Sequence, residues 1–108
     1  MRREIAEKLD LMVRILVERF RPFQVILFGS HAHGTETPDS DVDLLVVLNE
    51  VESKRKAAVQ MYEALADSGI SKDIIVTTVD EIQKLRDQPG SLIMPALREG
   101  KVLYGPEE

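Results

Sequence analysis

Residues 29–43 read Gly-Ser-His-Ala-His-Gly-Thr-Glu-Thr-Pro-Asp-Ser-Asp-Val-Asp, between two apolar runs, Val25-Ile26-Leu27-Phe28 and Leu44-Leu45-Val46-Val47-Leu48. Runs that short and that apolar predict strands covered on both faces. In a strand the side-chain period is two, so Asp41 and Asp43 project to the same face, roughly 7 Å apart along it. Two neighbouring carboxylates repel each other unless a cation lies between them. The Gly29-Ser30 turn supplies backbone N–H groups able to hold a phosphate, so the stretch reads as a metal–nucleotide site.

Working outward, Ile5, Leu9, Met12, Val13, Leu16 and Phe20 recur at helical spacing and predict an amphipathic helix over 4–20, ended by Pro22. Residues 29–40 read as a turn, a short helix and a loop. A strand is expected over 43–48, then a helix over 52–66 with Ala58, Met61 and Leu65 on its inner stripe and Gly69 beyond its end. Residues 72–77 predict a third strand that places Asp73, Ile75 and Thr77 on one face. Thr78-Val79-Asp80-Glu81 has the form of a capping box for a short helix to about residue 86. Pro89-Gly90 breaks the chain, and Ser91 can cap a last helix to Glu99, with Pro95 near its first turn. Gly100 stops that helix, and Val102-Leu103-Tyr104 can add an edge strand open to pairing with another chain. The expected fold is therefore α+β, a small mixed β-sheet covered by helices, in one domain spanning 1–108.

Bulk composition narrows the function. Hydrophobic residues make up 44% and charged residues 31%, which suits a globular protein rather than a disordered one. Apolar stretches fall short of the roughly 20 residues that span a membrane, so no membrane association is expected. The absence of cysteine excludes disulfides and thiolate metal sites and fits a cytoplasmic setting. The net charge is −5, with Lys54-Arg55-Lys56 as the sole basic cluster, read as a solvated helix face. Stable nucleic-acid binding is therefore not expected.

Three acids, Asp41, Asp43 and Asp73, stand at strand starts. If the second and third strands are neighbours, all three can converge. Oxygen-only ligands favour Mg²⁺, with Mn²⁺ as a substitute, over Zn²⁺. Two such ions can stabilise the attacking and leaving oxygens in nucleotidyl transfer. His31 and His33 lie two residues apart in a short helix and do not converge as transition-metal ligands. His31 reads as a bystander, while His33 is divided between phosphate contact and plain exposure. Ser40 reads as a turn residue, Tyr62 and Tyr104 as core and edge packing, and Thr35 and Thr37 as loop polarity.

Phe28-Gly29-Ser30, the ten-residue gap and Asp41-Val42-Asp43 resemble the signature of the DNA polymerase-β-type nucleotidyltransferase superfamily. Within it the chain is most similar to the minimal nucleotidyltransferases (MNT), the MntA-like antitoxins of HEPN/MNT pairs. The likeness extends to Arg98-Glu99-Gly100-Lys101-Val102-Leu103-Tyr104. It implies a polymerase-β-like fold, two Mg²⁺ ions held by Asp41 and Asp43, completion of the catalytic metal site by Asp73, and phosphate binding by Gly29 and Ser30. It further implies transfer of AMP from ATP to a hydroxyl, a tyrosine of a HEPN toxin partner. Where many relatives carry Arg in Gly-Ser-x-Ala-Arg-Gly, this chain has His33, a shorter and only partly charged group. Two other readings stand beside this one: a non-catalytic module that binds nucleotide or occludes its partner, and a small-molecule nucleotidyltransferase. The chain shows only the donor half of the chemistry, so a separate partner protein is expected to bring the acceptor, and a homo- or hetero-oligomer is possible.

Overall fold

The computed structural model describes residues 2–37, 39–86, 88, 90 and 93–106. The chain begins with α1 (Arg3–Phe20), whose buried stripe is Leu9, Met12 and Leu16. It stops at Arg21, which turns left-handed at φ 47° and returns its N–H to Val17 O at 3.1 Å. Pro22 follows immediately and cannot continue a helix.

Next come β1 (Gln24–Phe28), the four-residue α2 (Ser30–His33) and β2 (Val42–Leu48). A longer helix, α3 (Lys54–Ala64), leads through a 3₁₀ turn (Ala66–Ser68) to β3 (Lys72–Thr78). Then follow α4 (Val79–Leu85), α5 (Ile93–Glu99) and β4 (Lys101–Tyr104). The sheet order is β3-β2-β1-β4. β1 runs antiparallel to both β2 and β4, and β2 runs parallel to β3. That parallel pair needs a crossover, which α3 provides. The mixed sheet with its helices is the expected α+β architecture.

Alternation along the strands divides the core in two. Val25, Leu27, Val42, Leu44, Val46, Leu48, Ile74 and Val76 pack one face of the sheet against α1 and against Ala57, Met61 and Leu65. Ile26, Leu45 and Val47 pack the other face against Ala96 of α5, with Phe28, Val79, Ile82, Leu97 and Val102 partly buried around them. β1 and β2 are thus covered on both faces, as their unbroken apolar runs predict.

Several local expectations need correction. Helix α3 starts at Lys54 rather than 52, because Ser53 accepts Lys56 N–H at 3.2 Å and caps it there. Ala57 is buried on its inner stripe, while Ala58, expected there, is half-buried against the same core. The capping box at α4 is half formed. Thr78 Oγ1 accepts Glu81 N–H at 3.1 Å, but the Glu81 carboxylate accepts from Thr77 Oγ1 at 2.8 Å and from Lys54 Nζ at 2.7 Å. Tyr62 is no core residue: it is 38% exposed, and its hydroxyl accepts the Ile74 N–H of the edge strand β3 at 2.8 Å. The expected cap at Ser91 lies outside the described residues.

Candidate active site

β1 ends at Phe28, whose register partner on β2 is Asp43. Gly29 then adopts φ 73° and ψ −154°, a conformation open essentially to glycine alone, and swings the chain into α2. A Cβ at this position would collide with Asp43 Oδ2. Ala32 and His33 return their N–H groups to Gly29 O at 3.1 and 3.2 Å. The Ser30 N–H opens the helix and so has no intrahelical acceptor.

On the far side of the loop, Ser40 N–H donates to Thr37 O at 3.0 Å and Thr37 N–H to Ser40 Oγ at 2.8 Å. Ser40 is thus the turn residue it was expected to be, and Thr37 is its partner rather than mere loop polarity. His31 is 4% exposed, with Nε2 3.2 Å from Ser40 O. As the Nε2–H tautomer it donates to that carbonyl and ties α2 to the residue preceding Asp41. His31, read as a bystander to the chemistry, thus has a structural task in holding the loop. Position alone gave little sign of this tether, since the contact closes a loop whose path the sequence does not specify.

Asp43 and Asp73 are register partners on the parallel strands β2 and β3, so their side chains leave the sheet on one face. Asp41 lies two residues before Asp43 and shares that face. It is the face of Leu45 and Val47, and the apolar cover over these residues stops short of the acids: Asp43 is half-buried and Asp73 exposed. Ser71, two residues before Asp73, donates its hydroxyl to Asp41 Oδ1 and accepts Val42 N–H on its carbonyl at 3.0 Å. Sequence reading passed over Ser71, because only the β2–β3 register brings it to Asp41.

The electrostatics follow from this crowding. Burial raises the Asp43 pKa above the ordinary carboxylate range, and the charges of Asp73 and Asp41 raise it further, against a smaller opposing effect from His31. Among the described residues no group of three or more His, Cys, Asp or Glu side chains is yet arranged to hold a metal ion. Asp73 is exposed, and the three carboxylates share a face without yet enclosing one point. Their donor chemistry, all hard oxygen and mutually repelling, fits a divalent cation of the Mg²⁺ type.

His33, at the end of α2, sets its Nε2 3.5 Å from Glu99 Oε2 on α5. Together with Phe28, Gly29, Pro95 and Ala96 they line a hollow of about 200 Å³ beside the Gly29 turn. A larger hollow of about 820 Å³ lies over Ile26, Val47 and Val102 at the other end of the same face and includes none of the acids. The titratable groups, not the volume, locate the chemistry.

Known proteins resemble this chain in part and in whole. A Methanocaldococcus jannaschii protein, named as a candidate protein adenylyltransferase, is 38% identical over 47 residues, which are 44% of this chain and 47% of that protein. The aligned segment thus spans about half the length of the curated relative. A toxin–antitoxin structure with AMP-PNP superposes with a TM-score of 0.58 at 21% identity, over 93% of this chain and 74% of that one. The complex of a tri-AMPylated Shewanella oneidensis HEPN toxin with MNT antitoxin superposes with a TM-score of 0.53 at 17% identity, over 94% and 72%. These superpositions establish a shared fold. The nucleotidyltransferase domain model matches residues 9–102, which include Gly29, all three acids and every strand through β4's Val102, and the chain belongs to that family.

Proposed function

We propose that this protein transfers AMP from ATP to a hydroxyl acceptor, a tyrosine of a HEPN-domain toxin, and acts in the cytoplasm as the antitoxin of the pair. The observation that carries this reading is the placement of Asp43 opposite Asp73, two residues from Asp41 and against Gly29. The likeness to a protein adenylyltransferase candidate, to a toxin–antitoxin structure with AMP-PNP and to an MNT antitoxin in complex with an AMPylated HEPN toxin supports the donor, the acceptor class and the partner.

Asp41, Asp43 and Asp73 would hold the Mg²⁺ ions, which when bound neutralise charge on the phosphates and the leaving group. The chain's own residues then have separate tasks. Gly29 lets the backbone approach the triphosphate, and the Ser30 N–H and hydroxyl donate to its oxygens. His33 stands at the next turn of the same short helix, where it can add a contact to the phosphates. Asp73, the most open of the three acids, accepts the proton of the incoming hydroxyl. The acceptor oxygen forms a bond to the α-phosphorus, the bond from that phosphorus to the bridging oxygen breaks, and pyrophosphate leaves.

The test is to incubate the protein with ATP labelled at the α-phosphate, Mg²⁺ and the product of the adjacent gene, beside Asp41→Asn and Asp43→Asn variants. Label on the partner that both variants abolish supports the proposal. Neutralisation of the partner by both variants with no label anywhere would overturn it in favour of occlusion by contact.

A further inference from the structure

Ser71 lies outside the motif that identifies the family, yet it makes two of the contacts that surround Asp41. Val42 pairs with Lys72 and Asp43 with Asp73 in the β2–β3 register, so Ser71 stands opposite Asp41 one step before the paired strands begin. Its carbonyl receives the Val42 N–H at 3.0 Å, which pins the backbone on the C-terminal side of Asp41. Its hydroxyl donates to Asp41 Oδ1, which selects one orientation of the carboxylate. On the N-terminal side the Ser40 carbonyl is tied to the buried His31. Asp41 itself precedes the strand and has no ladder partner, so without these ties its side chain would sample several rotamers.

We infer that Ser71 is a positioning residue that holds the Asp41 carboxylate ready for a divalent cation. The inference rests on the reading of Asp41 as a metal ligand. A hydroxyl donated to Oδ1 uses one of the carboxylate's acceptor directions and leaves Oδ2 open, so the contact orients the group without exhausting it. Hydrogen bonds of this kind from an outer residue to a metal-binding carboxylate are worth roughly 10–100-fold in metal affinity or activity. The position tolerates other hydroxyl side chains, because Ser71 is exposed.

The experiment compares Ser71→Val with Ser71→Thr, which share a shape and differ in the hydroxyl, in the 108-residue protein with Asp41→Asn as reference. Free Mn²⁺ is counted by electron paramagnetic resonance during titration without nucleotide, and the Mg²⁺ dependence of AMP transfer is measured separately. The expected result is a Mn²⁺ dissociation constant raised about tenfold or more in Ser71→Val, with a parallel rise in the Mg²⁺ needed for half-maximal transfer. Ser71→Thr is expected to restore both, while circular dichroism spectra of all variants coincide. Unchanged or tighter Mn²⁺ binding in Ser71→Val overturns the inference, as does equal weakening in Val and Thr. If instead Asp41→Asn binds Mn²⁺ like the wild type, the metal reading itself falls and takes this inference with it.

Discussion

Asp43 packs against Gly29 so closely that no side chain could begin at position 29 without displacing its carboxylate. The glycine therefore serves two purposes: it adopts a backbone conformation closed to other residues, and it leaves Asp43 Oδ2 its room. Gly29→Ala should lose about 1–3 kcal/mol of stability from the backbone alone. Urea denaturation will measure this, and labelled-ATP assays should show AMP transfer abolished along with it, since the carboxylate is moved.

Asp43→Asn should separate stability from activity. Folding raises the Asp43 pKa, so the ionised form is disfavoured in the native state. That cost is absent below the ordinary value of 3.8, grows as pH rises through the interval up to the raised pKa, and is fully present at neutral pH. The variant should thus melt higher than the wild type at pH 7 without divalent ions, with the advantage disappearing in acid, while transfer is abolished. Added Mg²⁺ should stabilise the wild type more than the variant. Differential scanning calorimetry across pH checks both points.

Glu81 should show the opposite sign. Its pKa is lowered, first by the Lys54 hydrogen bond and then by that of Thr77. Its contribution is fully present above the ordinary value of 4.5 and is lost as pH falls through the lowered pKa. Glu81→Gln should cost about 1 kcal/mol at neutral pH and less in acid. Transfer activity should not change, because Glu81 begins α4 at the opposite end of β3 from Asp73.

Tyr62→Phe tests the edge of the sheet. Removing the hydroxyl leaves the Ile74 N–H of β3 without its acceptor, at a cost of about 1 kcal/mol by chemical denaturation. The same variant should speed hydrogen exchange at that amide, read by NMR, without altering catalysis.

Much of the fold was legible because it depends on local chemistry. The apolar stripe of α1 and the unbroken runs of β1 and β2 announce their elements by period alone. Boundaries were less legible: the helix expected from residue 52 begins at Lys54, where the Ser53 side chain reaches the Lys56 N–H. At Thr78 only half of the box forms, because the Glu81 carboxylate pairs with Lys54, 27 positions away, instead of the cap's own backbone.

The sequence by itself determined the elements, the Gly29-Ser30 turn and the shared face of Asp41 and Asp43, since each follows from neighbours along the chain. Only the tertiary structure decided that Asp73 lies directly opposite Asp43, that Ser71 grips Asp41, and that His31 is buried against Ser40. Those relations depend on which strands pair and in what register. One residue of slippage between β2 and β3 would turn Asp73 to the other face of the sheet and leave Asp41 without Ser71. The register is held by Leu44, Val46, Ile74 and Val76 packing together beneath the opposite face, so the apolar core sets the spacing of the acids.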